Sequence, residues 1–468
     1  MVFSSFTFLL LFLPITLILY YIIPSKKKNW RNLILLIMSL VFYAWGEPVY
    51  ILLMILSIIV NYIFGIFIDK FKYKKIILIF AIIFNIGLLF FYKYTDFLIN
   101  NLNSIFNLEI SHLKLSLPIG ISFYTFQILS YVIDVYQNKV EVQKNVFTLA
   151  TYIALFPQLI AGPIVRYVTV EDELKNRKEN THDFANGLRR FIVGLGKKVI
   201  VANNVAILAD AVFNSNPNQL GTIVIWLGAI AYTLQIYFDF SGYSDMAIGL
   251  GKMLGFNFLE NFNYPYISTS ITDFWRRWHM SLSTWFRDYI YIPLGGNRTT
   301  KLKWLRNILI VWLLTGLWHG ASWNYIIWGL YFGVILILEK NVINKLLDKI
   351  PRFFQHLYTL FFIVIGWVIF RMEDFDNLIN FLINMFNFEK SDILSFIENC
   401  PQVISIWPYL IIGIIGSVPF IGKKFQKINE SKKIYLGLLY DLCILIILGI
   451  TIVFLVSSSY NPFIYFRF

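Results

Sequence analysis

One histidine lies deep within an apolar stretch of this chain. His319 occurs in TGLWHGASWN, and more than ten residues separate it from the nearest charged side chain on either side. Ionisable groups in membrane segments are costly and usually face a polar cavity or a partner. A desolvated imidazole favours its neutral form and can then take a proton from a hydroxyl that attacks a carbonyl. The sequence predicts a general base at His319, with a purely structural histidine as the alternative.

A second histidine, His279, lies in a segment of mixed aromatic and cationic character, 268–296. Read as one helix, this segment gathers its large apolar side chains in a single stripe with cations on the other side. The stripe comprises Trp275, Trp278, Leu282, Trp285 and Tyr289, and the opposite side carries Arg276, Met280, Ser283 and Arg287. Such a helix suits a membrane interface. At His279 a catalytic role and simple packing between tryptophans are equally consistent with the pattern.

Two carboxylates accompany a third apolar segment, QIYFDFSGYSDMAIGLGKMLGF (235–256). Buried carboxylates need partners. Asp239 and Asp245 are therefore predicted either to line a cavity and orient an arginine or histidine, or to act locally. In the local alternative Asp239 caps a helix or forms a pair, and Asp245 is the N-cap of the next helix. Ser241 and Gly242, which lie between the two carboxylates, predict a helix break.

The sequence lacks the motifs of several common kinds of catalytic and metal site. The chain has no G-x-S-x-G nucleophile elbow, no phosphate-binding loop and no H-E-x-x-H pair. Its two cysteines, Cys400 and Cys443, suggest neither a disulfide framework nor a metal cluster. We predict no metal site and no bound cofactor.

The composition indicates a membrane protein. Of 468 residues, 58% are hydrophobic and only 14% charged, against about 25% charged in soluble domains. This excludes a soluble enzyme, a disordered chain and a nucleic-acid-binding domain, and it makes the lipid bilayer a partner. Apolar runs predict an all-α, polytopic fold of 11 or 12 transmembrane helices. They lie at 2–23, 31–46, 48–68, 76–93, 115–136, 191–212, 221–243, 353–371, 404–421 and 434–457, with one or two more in 307–338.

The net charge of +13 is explained by basic loops on the cytoplasmic face, which places the N-terminus outside. Two loops that read as cytoplasmic, 137–146 and 163–190, are separated by an apolar run of only 16 residues that contains Pro157. That run is too short to cross at 1.5 Å per residue, so we predict a re-entrant segment. Broken backbone at membrane depth requires protein or a wet cavity around its amides. With no internal repeat or linker, 1–468 is treated as one domain.

Five stretches together resemble the membrane-bound O-acyltransferase superfamily, in particular the branch of alginate O-acetyltransferase subunit I. The signature is NYPYISTSITDFWRRWHMSLSTWFRDYIYIPLGGNR (Asn263–Arg298). The other four are LPIGISFYTFQILSYVIDVY (117–136), FPQLIAGPIVR (156–166), the segment 235–256 and TGLWHGASWNYIIWGLYFG (315–333). They follow the family's order, and they define a signature core at about 117–333.

The resemblance implies a multi-helix fold with a thinned centre and a polar tunnel between the two membrane faces. The family's near-invariant histidine, in a W-H-G context, falls on His319, and its second histidine, in R-R-W-H, falls on His279. It also implies acyl transfer from a cytoplasmic thioester, acetyl-CoA, to an acceptor on the outer face. The product is an O-acetylated extracytoplasmic polysaccharide, made with a secreted or tethered acyl-transferring partner protein.

The implied reaction suggests roles for particular residues of this chain. Cations of the signature region suit the donor's phosphates, with anionic lipid as their alternative ligand. They are Arg276, Arg277, Arg287, Lys252 and Arg298. The thioester arm passes Trp275 and Trp278, and Asn324 or Thr315 donates to the developing oxyanion. The acidic segment 372–403 docks the partner. The alternatives are D-alanyl transfer to teichoic acid and a proton-coupled transporter.

Overall fold

The structure is a computed structural model that describes residues 1–388, 393–429, 433–457 and 460–462. Every regular element in these ranges is a helix, which confirms the predicted all-α fold. Seven helices are long and apolar enough to cross a membrane, or eight if a pair bent by 71° counts as one span. The chain is therefore a multi-pass membrane protein. The seven are Ile51–Lys70, Lys74–Phe106, Thr181–Phe213, Thr222–Met253, Trp323–Leu347, Arg352–Arg371 and Tyr435–Ser457.

The α-helices follow the predicted apolar runs, but several are shorter or more bent than a simple crossing. Thr7–Ile22 is an apolar helix of only 16 residues, and the bent pair is Pro401–Gly416 with Pro419–Phe425. In chain order the α-helices are α1 (Leu13–Ile22), α2 (Lys28–Gly46), α3 (Ile51–Lys70), α4 (Lys74–Phe106), α5 (Ile121–Tyr136), α6 (Val146–Ala154), α7 (Phe156–Leu159), α8 (Tyr167–Asn176), α9 (Thr181–Gly196), α10 (Asn203–Phe213), α11 (Thr222–Met253), α12 (Ile271–Trp275), α13 (Met280–Phe286), α14 (Lys301–His319), α15 (Trp323–Leu338), α16 (Asn344–Leu347), α17 (Arg352–Arg371), α18 (Phe375–Asn384), α19 (Ile393–Asn399), α20 (Trp407–Gly416), α21 (Pro419–Asn429) and α22 (Ile434–Ser457).

π-Helical and 3₁₀ segments continue or connect these helices. The π-helical segments are Thr7–Phe12, Lys197–Ala202, Arg287–Tyr291 and Glu339–Ile343, and the 3₁₀ segments are Pro217–Gln219, Pro265–Ile267 and Pro401–Ile406. The helices group into two compact units. The N-terminal unit comprises Met1–Phe191 and Ser244–Leu259, and the C-terminal unit comprises Ile192–Tyr243 and Glu260–Phe468.

In the N-terminal unit, the run predicted to be re-entrant is a broken helix. α6 ends at Ala154 and α7 begins at Phe156, with Leu155 between them outside helical geometry. The freed amide of Phe156 donates to the Ser39 hydroxyl at 3.0 Å. Protein groups therefore satisfy this backbone, as a broken segment at membrane depth requires.

A charged cluster fastens the first helices of the same unit. The buried Glu179 carboxylate accepts hydrogen bonds from Tyr20 and Lys28, both at 2.6 Å, and pairs with Arg31 at 2.9 Å. Burial alone would raise the pKa of Glu179, but these hydrogen bonds outweigh it and hold that pKa at about 2. The carboxylate thus stays ionised and holds α1, α2 and the 177–180 loop together.

The predicted break at Ser241 and Gly242 is wrong, because α11 runs without interruption from Thr222 to Met253. Gly242 instead permits close helix packing. A Cβ atom there would lie 2.7 Å from the carbonyl oxygen of Gly194, closer than two such atoms can approach. The glycine in this motif therefore serves contact between two helices rather than a turn.

Candidate active site

The signature segment is two short helices rather than one amphipathic helix. α12 ends at Trp275, and α13 begins at Met280, because His279 between them adopts a left-handed backbone with φ 43° and ψ 53°. Asn261 stabilises this break. Its carbonyl accepts from the amide of Met280 at 3.0 Å, and its side-chain oxygen accepts from the amide and hydroxyl of Ser281 at 3.2 and 2.9 Å. Polar side chains of this kind compete with the helical hydrogen bonds.

The side chain of His279 is buried, with 2% of its surface exposed. Its Nδ1 lies 3.2 Å from Oδ1 of Asn261, an acceptor, so we assign the proton to Nδ1 and the lone pair to Nε2. Nε2 is buried and has no hydrogen-bond partner among the residues that the structure describes. The ring packs edge-to-face on Phe240 at 4.6 Å. A neutral imidazole with an open acceptor nitrogen results.

Burial lowers the pKa of His279 to about 3. In the unfolded state this histidine binds a proton near pH 6.5, whereas in the folded state it stays neutral. Protonation therefore favours the unfolded state, and the stability of the fold decreases as the pH falls below 6.5. We expect wild-type stability to fall by up to about 1.4 kcal/mol for each pH unit below 6.5 from this group alone. Thermal unfolding in detergent between pH 7.5 and 5 should show a shallower slope for His279→Gln. The exposed His182 supplies a control, since His182→Gln should keep the wild-type slope. Equal slopes for wild type and His279→Gln would contradict the expectation.

His319 is the last residue of α14 and is 8% exposed. Its ring lies edge-to-face against Trp318, Trp328 and Phe370, at 4.9, 5.1 and 5.1 Å between centroids. The helix ends here because Gly320 is extended, so Trp323 begins the next helix rather than lying one turn above the histidine. Three aromatic rings thus fix the imidazole.

Gly316 allows the hairpin of α14 and α15 to close tightly beside His319. A Cβ atom on Gly316 would lie 2.3 Å from the carbonyl oxygen of Tyr325, and one on Gly320 would lie 2.2 Å from the Tyr325 ring. The absence of side chains at both glycines therefore allows Tyr325 to approach them closely.

Trp318 joins the two histidines into one aromatic cluster. Its ring centroid is 5.9 Å from that of His279 and 4.9 Å from that of His319. The predicted tryptophans extend the cluster: Trp275 contacts Trp328 at 5.5 Å, and Trp278 contacts Trp367 at 4.8 Å. The C-terminal unit thus brings together both predicted histidines and both predicted tryptophans.

A cleft of about 520 Å³ opens beside this cluster. Arg276 and Lys340 bring positive charge to it, and Trp312 forms part of its apolar wall. The Trp312 ring contacts Trp275 at 4.8 Å and Trp328 at 6.1 Å. Trp328 in turn contacts His319. Two ring contacts, from Trp312 to Trp328 and from Trp328 to His319, therefore connect the wall of the charged cleft with the buried imidazole.

The predicted cations fall into different settings. Arg277 pairs with Asp273 at 3.0 Å and Arg287 with Asp288 at 2.7 Å, whereas Arg276 has no carboxylate partner within the described ranges. Only Arg276 of the set lines the cleft. Arg298 is exposed in the turn before α14, and Lys252 belongs to the N-terminal unit.

Both predicted aspartates form ion pairs with cations. Asp239 pairs with Lys198 at 2.8 Å, and both side chains are almost completely buried. Asp245 pairs with Arg190 at 2.8 Å within the N-terminal unit and lies inside α11, so it is not an N-cap. Asp245 meets the expectation that a carboxylate holds an arginine.

The two predicted oxyanion donors already have partners. The Asn324 amide donates to the carbonyl of Phe370 at 2.9 Å, and Thr315 donates to the carbonyl of Val311 at 2.7 Å. Asn324 therefore supports Phe370, which packs on His319, and neither donor faces open space.

Sequence analysis missed three polar residues around the cluster. Lys198 and Glu339 are charges at or within apolar segments, which is a usable signal for function. Asn261 lies in an ordinary polar loop and gives no such signal.

Comparison with known proteins supports one family. The model of the MBOAT, membrane-bound O-acyltransferase family, matches residues 136–378. The chain is 39% identical to the "Probable alginate O-acetylase AlgI" of Azotobacter vinelandii, with all of both chains covered. It is 34% identical to the "Peptidoglycan O-acetyltransferase" of Helicobacter pylori, covering 100% of this chain and 98% of that one.

A more distant match is the "Teichoic acid D-alanyltransferase" of Bacillus subtilis, 32% identical over 55% of this chain and 69% of that one. The similarity to the two acetylating proteins extends over the whole chain, including the first and last hundred residues, where only apolar runs supported the resemblance. This chain belongs to the membrane-bound O-acyltransferase family and is an O-acyltransferase of its alginate O-acetylase branch.

Proposed function

We propose that this enzyme transfers an acetyl group from cytoplasmic acetyl-CoA to a hydroxyl group of an extracytoplasmic polysaccharide. The proposal rests on full-length similarity to two proteins, one named for O-acetylation of alginate and the other for O-acetylation of peptidoglycan. The charged cleft and the two histidines of the aromatic cluster supply the chemistry this reaction needs. The N-terminus lies outside the cell in this proposal, as the basic loops indicate.

Arg276 and Lys340 are placed to attract the phosphates of the donor at the cleft, where a guanidinium can bind phosphate through two parallel hydrogen bonds. The thioester arm passes the aromatic wall formed by Trp312 and Trp275. Its carbonyl carbon then lies near His319. The apolar wall excludes water, which protects the thioester from hydrolysis.

The acceptor hydroxyl attacks the thioester carbonyl while His319 takes its proton. The C–S bond then breaks, and the imidazolium returns the proton to the leaving thiolate, so that free CoA and an O-acetyl ester are the products. His279 stays neutral, and its Nε2 accepts a hydrogen bond from another hydroxyl group of the polysaccharide.

A partner protein receives the group or presents the polymer. The acidic segment 372–403 is proposed as its docking surface, and residues 389–392 of that segment lie outside the described ranges. Asp374 is occupied as the N-cap of α18, where it accepts from the amides of Asp376 and Asn377.

The donor is tested with purified protein in liposomes. We expect acetyl-CoA to be consumed with release of free thiol in the presence of an acceptor polysaccharide, and a D-alanyl carrier protein to give no transfer. His319→Ala is the matched inactive variant. Transfer from the D-alanyl carrier and none from acetyl-CoA would overturn the proposal in favour of the teichoic acid branch.

A further inference from the structure

The signature helix α12 is held by a carboxylate from another helix. Glu339 opens the π-helical turn that continues α15 and is completely buried, with 0% of its surface exposed. Its two oxygens accept three hydrogen bonds, from the amide of Ile271 at 2.6 Å and from the amide and hydroxyl of Thr272 at 2.8 and 2.6 Å. A buried charge needs such partners, and these three hydrogen bonds come from one short segment.

These donors are the first amides of α12, which no intrahelical carbonyl can satisfy. The Ser270 hydroxyl accepts a hydrogen bond from only one further amide, that of Asp273, at 3.0 Å. A helix of five residues has too few internal hydrogen bonds to be stable alone. The position of α12 therefore depends on groups outside it, and the Glu339 carboxylate supplies most of its polar contacts.

We propose that Glu339 is a positioning residue of the acyl-transfer site, one that sets the segment carrying Arg276 and His279 against the α14–α15 hairpin carrying His319. This inference rests on the proposed function. The carboxylate lies at the far end of α15 from His319 and at the near end of the segment that leads to His279. It thus ties together the two chain segments that supply the histidines.

Ring contacts alone would leave this alignment loose. Trp275 packs on Trp328 and Phe332 at 5.5 and 4.9 Å, and dispersion contacts of this kind change little when the rings slide. Three charge-assisted hydrogen bonds fix one register. Thr272, which donates two of them, also lines the cleft together with Arg276, so a shift of α12 would move the cleft and His279 at once.

The test compares Glu339→Ala and Glu339→Gln with wild type, per molecule of folded, monodisperse protein. Misplacement by about 1 Å can cost about 100-fold in rate, so we expect kcat with acetyl-CoA to fall roughly 10–100-fold in Glu339→Ala, with a raised KM. Glu339→Gln keeps one acceptor oxygen and should lie between. A residue that only stabilises the fold would reduce the yield of protein and leave kcat and KM per folded molecule unchanged.

Thr222→Val is the control variant. The Thr222 hydroxyl donates to the carbonyls of Asn384 and Asn387 at 3.0 and 2.6 Å, in the same unit but outside the aromatic cluster. This variant should lose stability while retaining wild-type kcat and KM. Equal kinetic losses in Thr222→Val and Glu339→Ala would overturn the positioning role.

Hydrogen exchange separates this inference from the proposed function. The amides of Ile271 and Thr272 should exchange faster in Glu339→Ala and unchanged in Thr222→Val, whatever substrate the enzyme uses. Unchanged exchange across 268–280 in Glu339→Ala overturns the inference. Faster exchange in Glu339→Ala, together with no turnover of acetyl-CoA by wild type, would contradict the assignment of the donor. It would leave the positioning of α12 by Glu339 unaffected.

Discussion

Replacing His319 by alanine is expected to lower acyl transfer by about 10²–10⁴-fold, the usual contribution of a general base. The imidazole is buried among Trp318, Trp328 and Phe370, so water cannot readily take its place. His319→Gln keeps a polar side chain without a basic nitrogen of comparable strength and should be as inactive. Release of thiol from acetyl-CoA by reconstituted protein measures the effect.

Loss of folding must be separated from loss of chemistry in this experiment. Removing the ring leaves a cavity beside three aromatic side chains and costs some stability. The amount of protein in the membrane and its elution as a single species are therefore measured for each variant. The exposed His182 provides a control, because His182→Ala should change neither quantity. Near-normal transfer by well-folded His319→Ala would exclude His319 as the base.

The sequence predicted the membrane fold and singled out both histidines that lie in the aromatic cluster. A charge-free apolar run identifies a membrane helix, and an ionisable group within it identifies a candidate site. For 307–338 the sequence left one or two helices open, and the structure has two, α14 and α15, which are separated at Gly320.

Contacts between residues that are far apart in the sequence could not be predicted. The amphipathic pattern of 268–296 was genuine, since Trp278, Leu282, Trp285 and Tyr289 are buried, yet the helix breaks at His279. Asn261, 18 residues earlier, causes that break through hydrogen bonds. Periodicity reports which side chains are apolar, and it cannot report a side chain from another loop that competes for the backbone.

The same reason explains the error at Ser241 and Gly242. A Ser-Gly pair in an apolar helix fits a break and also fits a close helix crossing, and only the neighbouring backbone at Gly194 decides between them. Lys198 shows the reverse case. Its charge follows the charge-free last residues of α9, 191–196, and falls in a π-helical segment, a feature that is frequent at functional sites. Its partner Asp239, however, is 41 residues away.

Breaking the pair of Lys198 and Asp239 should have the largest effect on stability. The Lys198 and Asp239 side chains are 2% and 3% exposed and lie 2.8 Å apart. Lys198→Met alone leaves the buried Asp239 carboxylate without its paired ammonium. Asp239→Leu alone leaves the buried Lys198 ammonium without its paired carboxylate, although Asn203 still accepts a hydrogen bond from it at 2.9 Å. Each is expected to cost about 3–5 kcal/mol. Unfolding by denaturant in detergent measures these losses, and Lys175→Met, which opens an exposed pair with Glu171, should cost under about 0.5 kcal/mol.

The double variant Lys198→Met/Asp239→Leu should recover most of the lost stability, because apolar side chains of similar size replace a buried ion pair at little cost. The acyl-transfer activity of this double variant then shows whether the two charges take part in the reaction. Asp239 precedes Phe240, whose ring supports His279 at 4.6 Å, so recovered stability with recovered transfer would mean that the pair only holds α11 in place. Recovered stability without transfer would give the two charges a part in the reaction. Additive losses in the double variant would contradict a coupled pair altogether, since uncoupled sites lose stability independently.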